Sequence, residues 1–319
     1  MKQKEILVFG ATGQIGRNLI RKLTKNNYKV TAVTRNIHRA GYILKTQANP
    51  GYLRVVEIKN FKTETLEDLI KNCSICINLV GILYEKKQNH FKTLHTDLPD
   101  LISLLANKFK IEKLIHLSAL GVENAADSKY ALSKFEGEKK ILKNFKQSII
   151  LKPSIVYSVD DKFSTRFMTL LSRLPIMPIY YEGKTKFAPI HVTDLIEIIL
   201  QIIENQKQSL ILECIGPETL TFKEIILKLL KSINKKRLLL PLPLPIAALT
   251  AKFLQLLPNP LLTEDQLNLL KYDNINSGIN KTNFDLGILS KRKFEQEINK
   301  YSFNWRTGGQ FSKLNNSEK

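Results

Sequence analysis

The chain is predicted to be an α/β protein: a doubly wound parallel sheet with helices on both faces, joined to a smaller C-terminal α/β part. Two observations predict it. From Glu5 to Tyr157, short β-branched runs alternate with longer segments of helical period. Beyond Ser158 the alternation loosens and proline becomes frequent, with Pro175, Pro178, Pro189, Pro217 and five more from Pro241 to Pro260. Residues 1–158 are therefore expected to form the sheet domain, 159–312 a smaller domain, and 313–319 a polar tail that frays.

The expected strands are Ile6–Phe9, Lys29–Thr34, Leu53–Ile58, Ser74–Leu79, Lys113–Leu117 and Ser148–Lys152. Between the first two, Ile15, Leu19, Ile20 and Leu23 recur at helical spacing, with Arg17, Arg21, Lys22 and Lys25 on the other side, which makes a β-α-β unit. A second helix, Thr63 to Lys71, opens at Thr63 with Glu64 and Glu67 near its positive end. In the second half, Thr193-Asp194 is expected to cap an apolar helix over Leu195–Ile203, and Thr221 one over Phe222–Ile233. The Pro-rich Leu238–Leu262 is either a core helix or an apolar surface that meets lipid or a membrane subunit.

Composition narrows the class. With 319 residues, 43% hydrophobic and 24% charged, the chain can bury a large core without staples. Lys and Arg number 49 against 29 Asp and Glu, a formal charge of +20 that excludes an acidic carrier. The excess is spread along the chain: 26 basic against 13 acidic residues in the first 150, and 23 against 16 in the rest. Lys outnumbers Arg 39 to 10, a poor match to the guanidinium forks that read bases, so no sequence-specific nucleic-acid binding is expected. Distributed Lys suffices for attraction to an anionic membrane surface or an acidic protein partner.

Three cysteines argue against a secreted disulfide framework. The opening Met1-Lys2-Gln3-Lys4-Glu5 leads into too short an apolar run for a signal peptide, so the chain is expected to be cytoplasmic. No transmembrane segment is expected, because the longest apolar stretch, Leu238–Ala251, is broken by three prolines. Cys73 and Cys76 sit at a strand start, where alternation splays the thiols and no helix dipole activates them. No metal site is expected. His116 and His191 fall in apolar strand contexts and are expected to be satisfied core residues, with Asp160-Asp161 a loop cap.

Chemistry concentrates at two places. Gly10-Ala11-Thr12-Gly13-Gln14-Ile15-Gly16 lies where the first strand ends and the first helix begins. Glycines there permit a tight turn and let a pyrophosphate approach the free N–H groups of the helix start, the pattern of a Rossmann-type dinucleotide site. The second strand ends in Thr34-Arg35-Asn36, without the carboxylate that would accept bonds from an adenosine ribose and repel a 2′-phosphate. Arg35 and Arg17 are therefore expected to hold NADP(H), with NAD(H) the alternative. The second place is Tyr130-Ala131-Leu132-Ser133-Lys134, which puts a phenol and an ammonium on one helical face. A lysine beside a phenol is expected to lower its pKa and make Tyr130 a proton donor and acceptor, with Ser118 at the end of the fifth strand.

With these residues in place, the chain resembles the short-chain dehydrogenase/reductase superfamily in its extended form. The resemblance rests on the glycine turn, Asn78-Leu79-Val80-Gly81, the Tyr130/Lys134 pair, Lys152-Pro153-Ser154-Ile155-Val156-Tyr157 and His191-Val192-Thr193-Asp194, and it covers nearly the whole chain. It implies Tyr130, Lys134 and Ser118 as catalytic residues, and Asn60, Val80, Gly81 and Pro153 beside the glycine turn as cofactor contacts. More narrowly, the chain is similar to the atypical subgroup that contains the nucleotide-binding accessory subunit of respiratory complex I and its bacterial relatives. The marks are Asn78–Glu85, His116–Gly121, Leu257–Thr263 with Asp265-Gln266, and Trp305–Phe311.

This subgroup resemblance implies a held dinucleotide, complex I subunits as partners and a peripheral place on the inner face of the respiratory membrane. Ser118 and Tyr130 stand only 12 positions apart, closer than in typical extended members, and Ala119 follows where a second hydroxyl is common. Pro99 interrupts a stretch the family runs as helix. Turnover is therefore expected to be lost. The alternatives are an active NAD(P)H-dependent reductase or epimerase on a hydrophobic or isoprenoid-linked substrate, and a redox sensor of the NADPH ratio.

Overall fold

The computed structural model describes residues 4–86, 89–205 and 209–311, so the tail expected over 313–319 lies outside it. β1 (Glu5–Phe9), β2 (Lys29–Thr34), β3 (Leu53–Glu57), β4 (Ile75–Asn78), β5 (Lys113–Leu117) and β6 (Ile149–Pro153) fall within a residue of the expected strands. They are nearly continuous apolar runs because helices cover both faces: Ile6, Leu7, Val8 and Phe9 of β1 are all buried.

β1 pairs in parallel with β2 on one side and β4 on the other. The sheet order is β3-β2-β1-β4-β5-β6, continued by the parallel strands Leu210–Cys214 and Lys281–Thr282. The order therefore reverses between β1 and β4, where open α/β sheets leave a crevice at the strands' C-terminal ends.

The helices in the first half are α1 (Gln14–Lys25), α2 (Ile37–Gln47), α3 (Thr63–Ile70), α4 (Leu98–Lys108) and α5 (Lys129–Asn144). In the second half lie α6 (Ser164–Arg173), α7 (Val192–Glu204), α8 (Phe222–Ser232), α9 (Leu244–Leu254), α10 (Glu264–Leu269) and α11 (Phe294–Asn299). One face of the sheet buries Leu19, Ile20 and Leu23 of α1 with Leu195, Ile198, Ile199 and Ile202 of α7. The other buries Leu66 and Ile70 of α3, Leu98, Ile102 and Leu105 of α4, and Ile141 of α5.

The second half thus divides in space. α7 and two strands complete the large sheet, while α6, α8 and α11 enclose a separate core of Tyr157, Met168, Phe222, Ile226 and Phe294.

Several helix ends differ from expectation. Thr63 is the first residue of α3, and the capping position falls to Lys62, which gives no side-chain cap. α7 begins at Val192, because the His191 ring Nδ1 accepts the Thr193 N–H at 3.3 Å and acts as the cap. Asp194 is instead buried against Arg292, which donates to it from both backbone and guanidinium. Thr221 does cap α8, in a reciprocal box with Glu224.

Pro99 lies in the first turn of α4, directly after a π-helical turn over Lys92–Asp97. That wider register lets the helix pass a residue that cannot donate. Leu238–Leu262 forms a short strand, Leu238–Pro241, then α9, which buries only Ala247 and Ala251. This stretch is surface rather than core.

Candidate functional site

The crevice is built around the turn from β1 to α1. Gly10 has φ +76°, and a Cβ there would stand 2.7 Å from the Leu79 carbonyl carbon, so glycine alone lets the β1 and β4 ends approach. A Cβ on Gly16 would run into the carbonyl oxygens of Gly10 and Ala11, so glycine also seats α1 on the turn. Gly13 occupies the N-cap of α1 without a capping side chain, and the first turn carries no carboxylate. The helix's free N–H groups and positive end are therefore left for an anion, the environment a pyrophosphate requires.

Side chains close this turn from the second half of the chain. Arg17 donates to the Thr12 carbonyl at 2.9 Å and pairs with Asp160. The Gln14 amide donates to Ser158 Oγ at 2.9 Å. Asp161 is buried and caps α6 through the N–H groups of Phe163 and Thr165, at 2.9 and 3.1 Å. Of the expected dyad, only Asp161 is a cap; Asp160 serves the glycine turn. Ile15 packs on the sheet core. Arg35 is exposed at the end of β2 and donates to Asn89 at 2.6 Å.

Asn60 is exposed in the bend after β3, two residues past Ile58, whose N–H bonds the Thr34 carbonyl at 2.9 Å. Val80 donates its N–H to Asn78 Oδ1 at 3.1 Å. The Pro153 carbonyl, at the end of β6, accepts from Leu120 N–H at 2.9 Å. These positions are spread along the C-terminal ends of the strands.

The second cluster gathers where α5 crosses β4 and β5. Three donors at the start of α5, Ser128 Oγ and the N–H groups of Lys129 and Tyr130, converge on Asp265 from α10 at 3.0, 2.6 and 3.1 Å. A carboxylate at a helix N-terminus is favourably placed, and here it fixes the turn that carries Tyr130. One turn on, the buried Lys134 donates to the Leu117 carbonyl at 2.9 Å. Its Nζ would lie 3.4 Å from a Cβ on Gly81, so the loop after β4 rests on this ammonium. Burial lowers the Lys134 pKa to about 8, against the opposing charge of Glu138.

The expectation that Tyr130 would be acidified is overturned. Burial, and then the charge of Asp265, push its phenol up to about 12.

His95, from the π-turn, locks the cluster. Its Nε2 accepts the Ile82 N–H at 3.0 Å, and its Nδ1 meets Ser133 Oγ at 3.0 Å, which itself donates to the Tyr130 carbonyl at 2.8 Å. That chain assigns the ring proton to Nδ1 and leaves the imidazole neutral. Burial and the nearby Lys134 lower its pKa to about 3. The ring packs edge-on to Tyr130 at 5.4 Å.

His116 is buried as expected but not fully satisfied. Nδ1 lies 3.2 Å from the Asn78 amide, while Nε2 has no partner among the described residues.

Ser118 is buried beside α5. It donates its hydroxyl proton to Glu138. Glu138 lies 3.4 Å from the buried Lys152 ammonium, which also binds Glu123 at 2.6 Å.

The glycine turn, the strand order and the second-half strands together describe one fold family. Residues 6–213 match the Epimerase family, the NAD dependent epimerase/dehydratase family. The chain belongs to this family. The NADH-ubiquinone oxidoreductase 40 kDa subunit, mitochondrial, of Neurospora crassa is 24% identical over 286 residues, covering 88% of this chain and 74% of that protein. NADH dehydrogenase (ubiquinone) 1 alpha subcomplex subunit 9, mitochondrial, of Arabidopsis thaliana is 24% identical over 280 residues, 84% of this chain and 70% of that one. A crystal structure of dTDP-glucose 4,6-dehydratase from Bacillus anthracis in complex with NAD shares the fold, with a TM-score of 0.71 at 16% identity over 95% of this chain and 96% of that one.

For an epimerase/dehydratase family member, the structure brings Gly10, Gly13, Gly16, Thr12, Gln14 and Arg17 together at one turn. It brings Tyr130, Lys134 and Gly81 together at a second cluster, and it turns Ser118 toward Glu138. His95, Glu138 and Asp265 are the residues that sequence reasoning missed. Glu138 had a signal, since it stands four residues after Lys134 on the same helical face. His95 had none, because a π-turn brings it in, and Asp265, visible in the sequence only as part of the Asp265-Gln266 mark, reaches α5 from a distant helix. Cys73 and Cys76 are both buried, and burial pushes the Cys73 thiol up to about 12. Among the described residues no group of three His, Cys, Asp or Glu could hold a metal.

Proposed function

We propose that this chain holds a nicotinamide dinucleotide as a structural element, NADP(H) in preference to NAD(H), and serves as an accessory partner of a respiratory NADH:quinone oxidoreductase without turning substrate over. The observation that carries the reading is the contrast within one site. The pyrophosphate turn is complete, whereas the Ser118 hydroxyl is bonded to a carboxylate and the Tyr130 phenol is buried and raised in pKa. A hydroxyl has one proton to donate, and Ser118 commits it to Glu138. A phenol pushed up to about 12 stays protonated at neutral pH and is a poor base.

Gly10, Thr12, Gly13, Gln14, Ile15 and Gly16 would hold the pyrophosphate, Lys134 the nicotinamide ribose, and Arg17 with Arg35 a 2′-phosphate. When bound, the nicotinamide supplies a hydride donor or acceptor. The names of the 40 kDa and alpha-subcomplex relatives supply the partner, and their likeness runs through most of this chain. A second reading, an active reductase or epimerase, draws on the retained Tyr130 and Lys134.

Gently purified protein should release NADP(H) only on unfolding, and excess ketone or sugar-nucleotide candidates should leave bound NADPH reduced. A Tyr130→Phe variant should keep the same nucleotide content and the same recovery with oxidoreductase subunits. Exchangeable cofactor oxidised by one candidate, with that oxidation lost in Tyr130→Phe, would establish the enzyme reading instead.

A further inference from the structure

The stretch from Leu238 to Leu261 carries a surface that the dinucleotide site does not use. α9 packs inward through Ala247 and Ala251, one turn apart, against Tyr180 and Leu267. Its outward stripe is Ile246, Leu249 and Phe253, at i, i+3 and i+7, with Phe253 66% exposed. Before it, alternation in the strand Leu238–Pro241 turns Leu238 and Leu240 outward, and Leu238 sits opposite the exposed Ile176 of the neighbouring strand. After it, Leu256, Leu257 and Leu261 are exposed, Leu256 at 78%. Single exposed leucines are ordinary, but nine leucine, isoleucine and phenylalanine side chains, Leu244 among them, exposed over two dozen residues are not.

Charge says what covers this surface. From Ile225 to Thr263 the chain has six basic side chains and no acidic one. Lys228 and Lys231 are paired with Glu295. Of the other four, Lys235, Lys236 and Arg237 precede the apolar stretch and Lys252 lies within it. Lys235 donates to Thr307 at 2.7 Å and Lys236 is exposed. Arg237 is held by the backbone carbonyls of Leu171 and Ser172 at 2.9 and 3.2 Å. Lys252 lies on the flank of the outward stripe, 3.7 Å from Glu264. An apolar face with cations before it and one within it is complementary to a bilayer surface bearing anionic headgroups over acyl chains. α9 is 11 residues long, roughly 16 Å, about half of what crossing the hydrocarbon requires, so it would lie in the interface. Among the described residues no helix is long and apolar enough to cross a membrane.

We propose that the α9 face, with the strand Leu238–Pro241 before it and Leu256–Leu261 after it, docks this protein onto an anionic phospholipid surface. The proposal deepens the accessory-partner reading by naming the surface that meets the membrane, yet its test needs neither the oxidoreductase nor the dinucleotide. Its failure therefore leaves that reading standing, and the reverse.

The full chain is sedimented with vesicles of phosphatidylcholine containing phosphatidylglycerol, and with phosphatidylcholine alone. Binding should require the anionic lipid, weaken with salt, and fall at least about tenfold in the double variant Leu249→Asp, Phe253→Asp. A second variant, Lys235→Glu with Lys236→Glu, should weaken it while leaving the fold and bound nucleotide unchanged, which separates surface from stability. Equal binding to both vesicles, or unchanged binding of the Leu249→Asp, Phe253→Asp protein, would overturn the proposal. So would a concentration-dependent dimer that these substitutions abolish in the absence of vesicle binding, which would assign the face to a second copy.

Discussion

His95 is a neutral imidazole by necessity, because its Nε2 must accept the Ile82 N–H. Its folded pKa of about 3 lies below the unfolded 6.5, so the unfolded chain takes up the proton first. The stability it contributes is complete above pH 6.5 and is lost as pH falls toward 3, on the order of 5 kcal/mol over the whole range. His116 shifts in the same direction and adds to the slope. His95→Gln keeps an acceptor for Ile82 and stays neutral throughout, so its urea midpoint should fall less steeply than the parent's between pH 7 and 4. Parallel curves would exclude the assignment. Lys134 runs the other way. With a folded pKa of about 8 against 10.5 unfolded, its charge costs stability below pH 8, and the cost fades as pH rises to 10.5. In protein refolded without nucleotide, Lys134→Met should therefore stabilise the fold at pH 7 by about 2 kcal/mol after losing the bond to Leu117, and the gain should shrink toward pH 10.5. Melting curves at both pH values read this directly.

At the scale of elements, the nucleotide turn depends on how closely α1 sits on the end of β1. Gly16→Ala places a methyl group against two backbone carbonyls that cannot rotate away. The helix must lift, at a cost of about 2 kcal/mol, and its N–H groups move off the anion position. Released nucleotide should fall well below the parent's while the circular dichroism spectrum is retained. Full nucleotide content in that variant would show that the turn is not the pyrophosphate site. The same close packing governs α5. A Cβ on Gly137 would collide with the His95 carbonyl, so glycine is what lets α5 bring Lys134 alongside the π-turn.

For the whole molecule, the large sheet is completed from the second half of the chain. β6 pairs with Leu210–Cys214 along five residues, and α1 shares its core with Ile198, Ile199 and Ile202 of α7. A fragment of residues 1–158 would expose that face and an unpaired edge on β6. It should show no cooperative thermal transition, whereas the full chain should melt as a cooperative unit. A sharp transition in the fragment would mean that the first half carries a sufficient core alone.

Strand positions, the glycine turn and the sheet's parallel character were legible in the sequence, because each rests on local pattern: β-branched runs, a helical period, and glycines between them. Thr221 was legible as a cap for the same reason, standing directly before an apolar helical run, whereas its Glu224 partner came from the structure. What Tyr130 and Ser118 touch was decided only by tertiary structure. Local spacing places Lys134 beside Tyr130, but the Tyr130 phenol answers to burial and to Asp265, 135 positions away. Ser118 answers to Glu138, itself held by Lys152 from another strand. A pKa is a sum over everything within a few ångströms, and the sequence orders residues by chain distance rather than by that one.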